Sequence, residues 1–287
     1  MEGYLMPTPR IRLVLPLFLG VLLLATIAEA VTLKEPFDRT VPLRPGAEVR
    51  LANVNGGVTF EAWDRGEVRI EAEKRVKAGS DAEARKIMAQ VHIDVAQDAK
   101  GVRIETKLPR RENGFFDWLF GNQASISVNY RVHVPRRAGL DVESVNGGLT
   151  VTGTRGKARM ETTNGGIDLT DVQGDLELTT VNGGINVRRS AGALRAETTN
   201  GSIEAELSDL PDGSDLRFET TNGHVALRLP RDARLSIDAA TTNGRVQSDF
   251  TVEGGQPGKH SLKGDINGGG GKLYVRTTNG GIEIAEL

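Results

Sequence analysis

An Asn-Gly pair followed, one residue on, by an aliphatic residue recurs at Asn55, Asn146, Asn164, Asn182, Asn200, Asn222, Asn243 and Asn279. From Asn146 to Asn200 the interval is 18 residues three times running, and the later intervals are 22, 21 and 36. A fixed period near this length is the mark of a chain that coils upon itself, and it outranks any local propensity.

The 18-residue unit divides again. Written in nines from Asn146, the chain reads NGGLTVTGT, RGKARMETT, NGGIDLTDV, QGDLELTTV, NGGINVRRS, AGALRAETT and NGSIEAELS. Each nine has Gly at its second position and apolar residues at its fourth and sixth, among them Leu149 and Val151, Ile167 and Leu169, and Ile185 and Val187. Polar residues such as Thr150, Asp168 and Asn186 stand between them. Strict alternation predicts a strand with one buried face, and the recurring Gly predicts a positive-φ corner. The expected fold is therefore mainly β: a parallel β-solenoid with two short strands per 18-residue turn. Stacking places the Asn residues at one corner as a hydrogen-bonded ladder. A second ladder is expected two residues earlier, at Ser144, Thr162, Thr180, Thr198, Thr220, Thr241 and Thr277. Asn-Gly is also a hairpin signal, but a hairpin meander has no need of a constant interval.

Three segments follow from this reading. Residues 1–30 form an expected signal peptide: Arg10 and Arg12 precede an apolar run from Leu13 to Ile27, and Ala28-Glu29-Ala30 offers a small-x-small exit with cleavage after Ala30. The run is shorter than the ~20 residues of a membrane-spanning helix. The expected location is the periplasm or the medium. Residues 31–139 hold a first turn, seen in Val49, Leu51, Val58 and Phe60, and an α+β cap. In that cap Ser80-x-x-Glu83 opens a helix over 81–90, and strands are expected at 91–96, 102–108 and 125–134. Residues 140–287 are the repeats, ending in a strand at 282–287 with no evident cap, so edge-to-edge self-association is expected.

Composition narrows the function. Thirty-six Lys and Arg against thirty-eight Asp and Glu give a net charge of −2, without the basic stripe of a nucleic-acid binder. The absence of cysteine excludes disulfides, thiolate metal sites and a cysteine nucleophile. Calcium-binding nonapeptides need Gly and Asp where this chain has aliphatics. His92, His133, His224 and His260 are scattered, and although His92 and His133 fall on strands that could be neighbours, no third zinc ligand accompanies them. Asn267 to Gly271 has a phosphate loop's glycines without its Lys-Ser/Thr, and reads as a flexible loop. Outward acids such as Glu143, Glu161, Glu177 and Glu197 alternate with Arg159 and Arg195, the dressing of a solvated sheet. The sequence thus points to no catalytic residue, cofactor or metal. One segment within 110–124 is unusual: Phe115, Phe116, Trp118, Leu119 and Phe120 cluster around one Asp. It either folds back onto the solenoid or cap, or forms an exposed docking tip for a partner or a membrane surface.

The copies Asn164-Gly165-Gly166-Ile167 and Asn279-Gly280-Gly281-Ile282 resemble the bacterial adhesin-like β-strand-repeat domains of unknown function, related to an autotransporter-adhesin head domain. The resemblance covers 140–287 and extends weakly to 49–60. It implies an envelope-associated β-solenoid and brings no catalytic or ligand positions. The expected function is a non-enzymatic adhesion or scaffold module that binds an envelope protein or glycan. The alternative is a carbohydrate-active β-helix enzyme working on envelope or extracellular glycans.

Overall fold

The structure is a computed structural model that describes residues 30–108, 124–255 and 258–287. The expected signal segment and the Phe115–Phe120 cluster lie outside the described residues. Numbered in chain order, the elements begin with β1 (Val31–Pro42), β2 (Glu48–Asn55), β3 (Val58–Trp63), β4 (Glu67–Ala78), α1 (Asp81–Met88), β5 (His92–Gln97), β6 (Gly101–Lys107) and β7 (Ser125–Pro135). The repeats then supply β8 (Gly139–Asn146), β9 (Leu149–Thr152), β10 (Ala158–Asn164), β11 (Ile167–Thr170), β12 (Leu176–Asn182), β13 (Ile185–Ala191), β14 (Leu194–Asn200) and β15 (Ile203–Asp209). The chain closes with β16 (Asp215–Asn222), β17 (Val225–Leu229), β18 (Leu235–Asn243), β19 (Val246–Ser248), β20 (Ser261–Ile266), β21 (Gly271–Asn279) and β22 (Ile282–Glu286).

These strands form two eleven-stranded sheets among the described residues. The protein is a β-solenoid. Each turn gives one strand to each sheet, so β10 pairs in parallel with β8 and β12, and β11 with β9 and β13. The register places Asn164 beside Asn146 and Asn182. Alternate residues point into the space between the sheets: Leu149, Val151, Ile167, Leu169, Ile185 and Val187 are all buried. Each such side chain contributes roughly 1.5–3 kcal/mol over exposure. No single turn could bury its own apolar face, and the stack supplies what each lacks.

The expected positive φ is present at Gly56, Gly174 and Gly192, at 112°, 134° and 108°, but the glycine after most corner Asn residues has another cause. Gly147, Gly165, Gly183 and Gly201 are not in the left-handed region. A Cβ on Gly183 would instead lie 2.0 Å from the carbonyl oxygen of Gly165 in the adjacent layer. Glycine is required by close backbone approach between layers. Left-handed backbone appears at the opposite end of β9, β11 and β13, where Gly153, Asp171 and Arg189 have φ of 79°, 56° and 49°. Arg189 and Asp171 compensate with a bidentate pair, both bonds at 2.9 Å.

Two departures from simple sequential stacking matter. The first turn, β2 with β3, pairs directly with β8 and β9. The intervening excursion covers the far side: β6 and β7 continue the two sheets in parallel, while β5, β4 and β1 add antiparallel edges. At the other end the last turn of the chain is inserted. β21 lies between β16 and β18, and β22 between β17 and β19. The expectation that 282–287 is a bare edge is therefore corrected: that strand is paired on both sides. Residues 249–255 and 258–266 form the covering at this end, with β20 antiparallel on β18 and Phe250 buried. The 36-residue interval before Asn279 reflects this detour, which the turn-like composition of 251–260 concealed.

Candidate functional site

The corner column is built first by the register. Asn146 Nδ2 donates to Asn55 Oδ1 at 2.7 Å, Asn164 to Asn146 at 2.8 Å and Asn182 to Asn164 at 2.9 Å. Asn200, Asn222, Asn279 and Asn243 continue the chain in that order, at 2.8–2.9 Å. All seven bonds point the same way, so the amide dipoles add along the column. Asn55 ends it by donating to the Ile126 carbonyl at 3.1 Å. Beside it, the buried Thr162, Thr180, Thr198, Thr220, Thr277 and Thr241 donate to glycine carbonyls of the adjacent layer rather than to one another. In the first turn Asn53 takes this position. Its amide donates to Asn55, Gly56 and Val128 carbonyls, and its Oδ1 accepts from Thr106. Thr106 also shares a 2.6 Å bond with Tyr130, whose phenol is pushed up to about 12 by burial.

A groove lies elsewhere, on the outer face of the sheet where β1, β4, β7 and β3 meet. It has a volume of ≈ 660 Å³ and is open to solvent, with Phe37, Gly57, Ala72 and Tyr130 on its floor and walls. Charged residues rim it. Arg69 bridges Asp38 at 2.6 Å and Glu71 at 2.9 Å, and Glu73 meets Arg75 at 2.8 Å and Lys34 at 3.4 Å. The hydrogen bond from Arg69 holds Asp38 below the usual carboxylate range, and that from Arg75 does the same for Glu73. A glycosidase's general acid needs the opposite, a raised pKa. Next to the groove His133 stacks on Trp63, with ring centroids 5.2 Å apart, and lies between Glu71 at 3.3 Å and Glu61 at 3.6 Å.

The histidines are not brought together. His92 is on β5 and His133 on β7, in different sheets. His224 sits in the repeats with Ser202 Oγ 2.8 Å from its Nδ1 and Glu204 3.5 Å from its Nε2. These are the residue types of a nucleophilic triad, but the hydroxyl also accepts from the backbone N–H of His224 at 3.3 Å, and the carboxylate and imidazole are both more than half exposed. The group lies open to solvent on the outer face of the repeats. No cluster of three metal-ligating side chains occurs among the described residues. Asn267 to Gly270 makes an ordered left-handed turn rather than the expected flexible loop, with Asn267 anchored to the Arg231 and Ala233 carbonyls. The groove and the Trp63–His133 stack were missed in the sequence although β4 alternates in clear view, Val68, Ile70, Ala72, Val76 and Ala78 all facing inward.

No curated protein matches the chain. Among solved structures it is similar to a candidate cell adhesion protein from Clostridium sporogenes, at 14% identity and a TM-score of 0.37, over 88% of this chain and 100% of that one. It is also similar to a candidate lipid-binding protein from Parabacteroides distasonis, at 11% identity and a TM-score of 0.40, over 88% of this chain and 96% of that one. A candidate adhesin from Bacteroides fragilis is similar at 9% identity and a TM-score of 0.37, over 87% and 97%. The Toastrack DUF4097 family model matches residues 122–285, more than half of the sequence and all of the inner layers after the first turn. The chain belongs to the Toastrack DUF4097 family.

Proposed function

We propose that the protein is a non-enzymatic binding module of the bacterial envelope, secreted or periplasmic after removal of residues 1–30, serving adhesion or as a scaffold. The observation that carries this reading is the character of the two broad faces. On one face the outward row Asp141, Arg159, Glu177, Arg195 and Arg217 repeats layer by layer in register beside the largely acidic row Glu143, Glu161, Thr179, Glu197 and Glu219, giving a long charged surface. The grooves are open, and at the one bordered by β1, β4, β7 and β3, toward the cap, the carboxylates of Asp38 and Glu73 are held ionised by cationic partners. Such a surface suits many weak polar contacts along an extended envelope protein or glycan better than it suits bond-breaking in a water-excluded pocket.

Two measurements test it. Purified protein is incubated with isolated peptidoglycan sacculi and with exported envelope polysaccharide, and both retention and new reducing ends are followed. Saturable retention on one of them without release of reducing ends supports the reading. Release of reducing ends would replace it with the carbohydrate-active enzyme. N-terminal sequencing of the exported protein tests the location, with Val31 as the expected first residue and an intact Met1 in the cytoplasm as the contrary result.

A further inference from the structure

We propose that Asn243 is a site of spontaneous covalent modification, its side-chain amide converting to a carboxylate, and that stacking shields the other seven corner asparagines from the same reaction. The chemistry is that of any Asn-Gly pair. The backbone nitrogen of the glycine loses its proton to solvent base and bonds to the Asn Cγ. The Cγ–Nδ2 bond breaks and ammonia leaves, closing a succinimide ring. One water then opens the ring at either carbonyl and leaves an aspartate or its β-linked isomer. Water is consumed, ammonia is released, and nothing is oxidised or reduced.

In seven corners both reacting groups are held. The glycine nitrogen donates to the Asn carbonyl of the next layer, from Gly56 to Asn146 at 2.9 Å through to Gly280 to Asn243 at 3.1 Å. The carboxamide is fixed as well, since its Oδ1 accepts from the next layer's Nδ2. Bringing that nitrogen onto Cγ would break both bonds and lift two layers apart.

Asn243 stands last in the column. Among the described residues, Gly244 N has no acceptor and Asn243 Oδ1 no donor. The covering segment crosses this corner without taking either reacting group. Beyond the last β20–β18 pair, Ala240 opposite Ser261, Thr241 N–H donates to the His260 carbonyl at 2.9 Å, Val246 N–H to the Lys259 carbonyl at 3.1 Å, and His260 Nδ1 to the Gly244 carbonyl at 2.7 Å, so the contacts fall on either side of the Gly244 N–H and the Asn243 carboxamide oxygen. Asn267-Gly268 is the other described pair of this kind outside the column, and two carbonyls at 2.9 and 3.0 Å hold its amide. Modification of Asn243 adds a negative charge and abolishes the donor to Asn279 Oδ1, removing the last rung.

The test is a time course of peptide mapping by mass spectrometry on the purified native protein at mildly alkaline pH, repeated in denaturant. With two hydrogen bonds of ordinary strength absent, Asn243 should convert at least about tenfold faster than Asn182 in the native state. In denaturant the two rates should converge. Equal native rates at Asn182 and Asn243 would overturn the proposal. So would a lead for Asn243 that persists in denaturant, because the cause would then be local sequence and not its place in the stack.

Discussion

A rung of the asparagine column is a side-chain bond between neighbouring layers, and its worth depends on position. Asn182 both donates to Asn164 and accepts from Asn200, whereas Asn243 only donates. At about 1 kcal/mol for each net hydrogen bond, Asn182→Ala should cost about 2 kcal/mol and Asn243→Ala about half that, read from denaturant midpoints. Gly183→Ala is a harsher change, because its methyl would overlap a carbonyl that the sheet ladder cannot move. A loss above about 3 kcal/mol is expected, with destacking at that layer. Titrating residues add a pH dependence. Asp38, Glu73 and Asp171 have lowered pKa values in the folded chain, so their contribution is present at neutral pH and is lost as acid carries the pH down through those values. Tyr130 is the reverse case: its raised pKa favours folding below its ordinary value of 10.0, and that contribution is lost as pH rises toward about 12. The phenolate absorbance assigned by difference against Tyr130→Phe should therefore appear near pH 12 together with unfolding.

At the scale of elements, the inserted last turn is the least ordinary feature. β18 and β19 reach the body of the solenoid through β21 and β22 alone, since β20 covers the outer side of β18. Deleting residues 271–287 should consequently abolish amide-exchange protection across 235–266 while leaving β10 to β14 protected. If 235–266 kept its protection, direct docking on β16 and β17 would have to be possible. The sequence made the layers legible because the repeat period, the alternation and the Asn-Gly corner all agree from Asn146 to Asn200. It did not make the insertion legible. Asn222, Asn243 and Asn279 have nearly identical corners, and any order of stacking satisfies the same pattern. The glycine preference was legible too, but at Gly147, Gly165, Gly183 and Gly201 its cause was not, because closeness to a neighbouring layer is a non-local property. β1 was missed since its Pro36 and exposed charges suit an edge strand and break the alternation.

The whole molecule is a stack in which neighbouring layers hold one another in place, closed at one end by β1, β4, α1, β5, β6 and β7 and at the other by residues 249–255 and 258–266. That arrangement presents long, even faces and keeps free strand edges short, interrupted or charged. The proposed binding role falls on those broad surfaces, whereas the groove beside Trp63 and His133 belongs to the cap. All of this depends on the order of the layers. The chain lacks cysteine, so engineered pairs report that order without interference. Thr221 and Thr278 are exposed and sit in adjoining layers, flanked by the matched pairs Thr220–Thr277 and Asn222–Asn279. The most direct test is oxidation of the double variant Thr221→Cys with Thr278→Cys beside that of Thr221→Cys with Thr242→Cys. Neighbouring strands bring α-carbons within disulfide range, and a second layer of separation takes them beyond it. Rapid cross-linking of 221 to 278 and none of 221 to 242 is the predicted result; the reverse would contradict the insertion of the last turn and the single in-register column built on it.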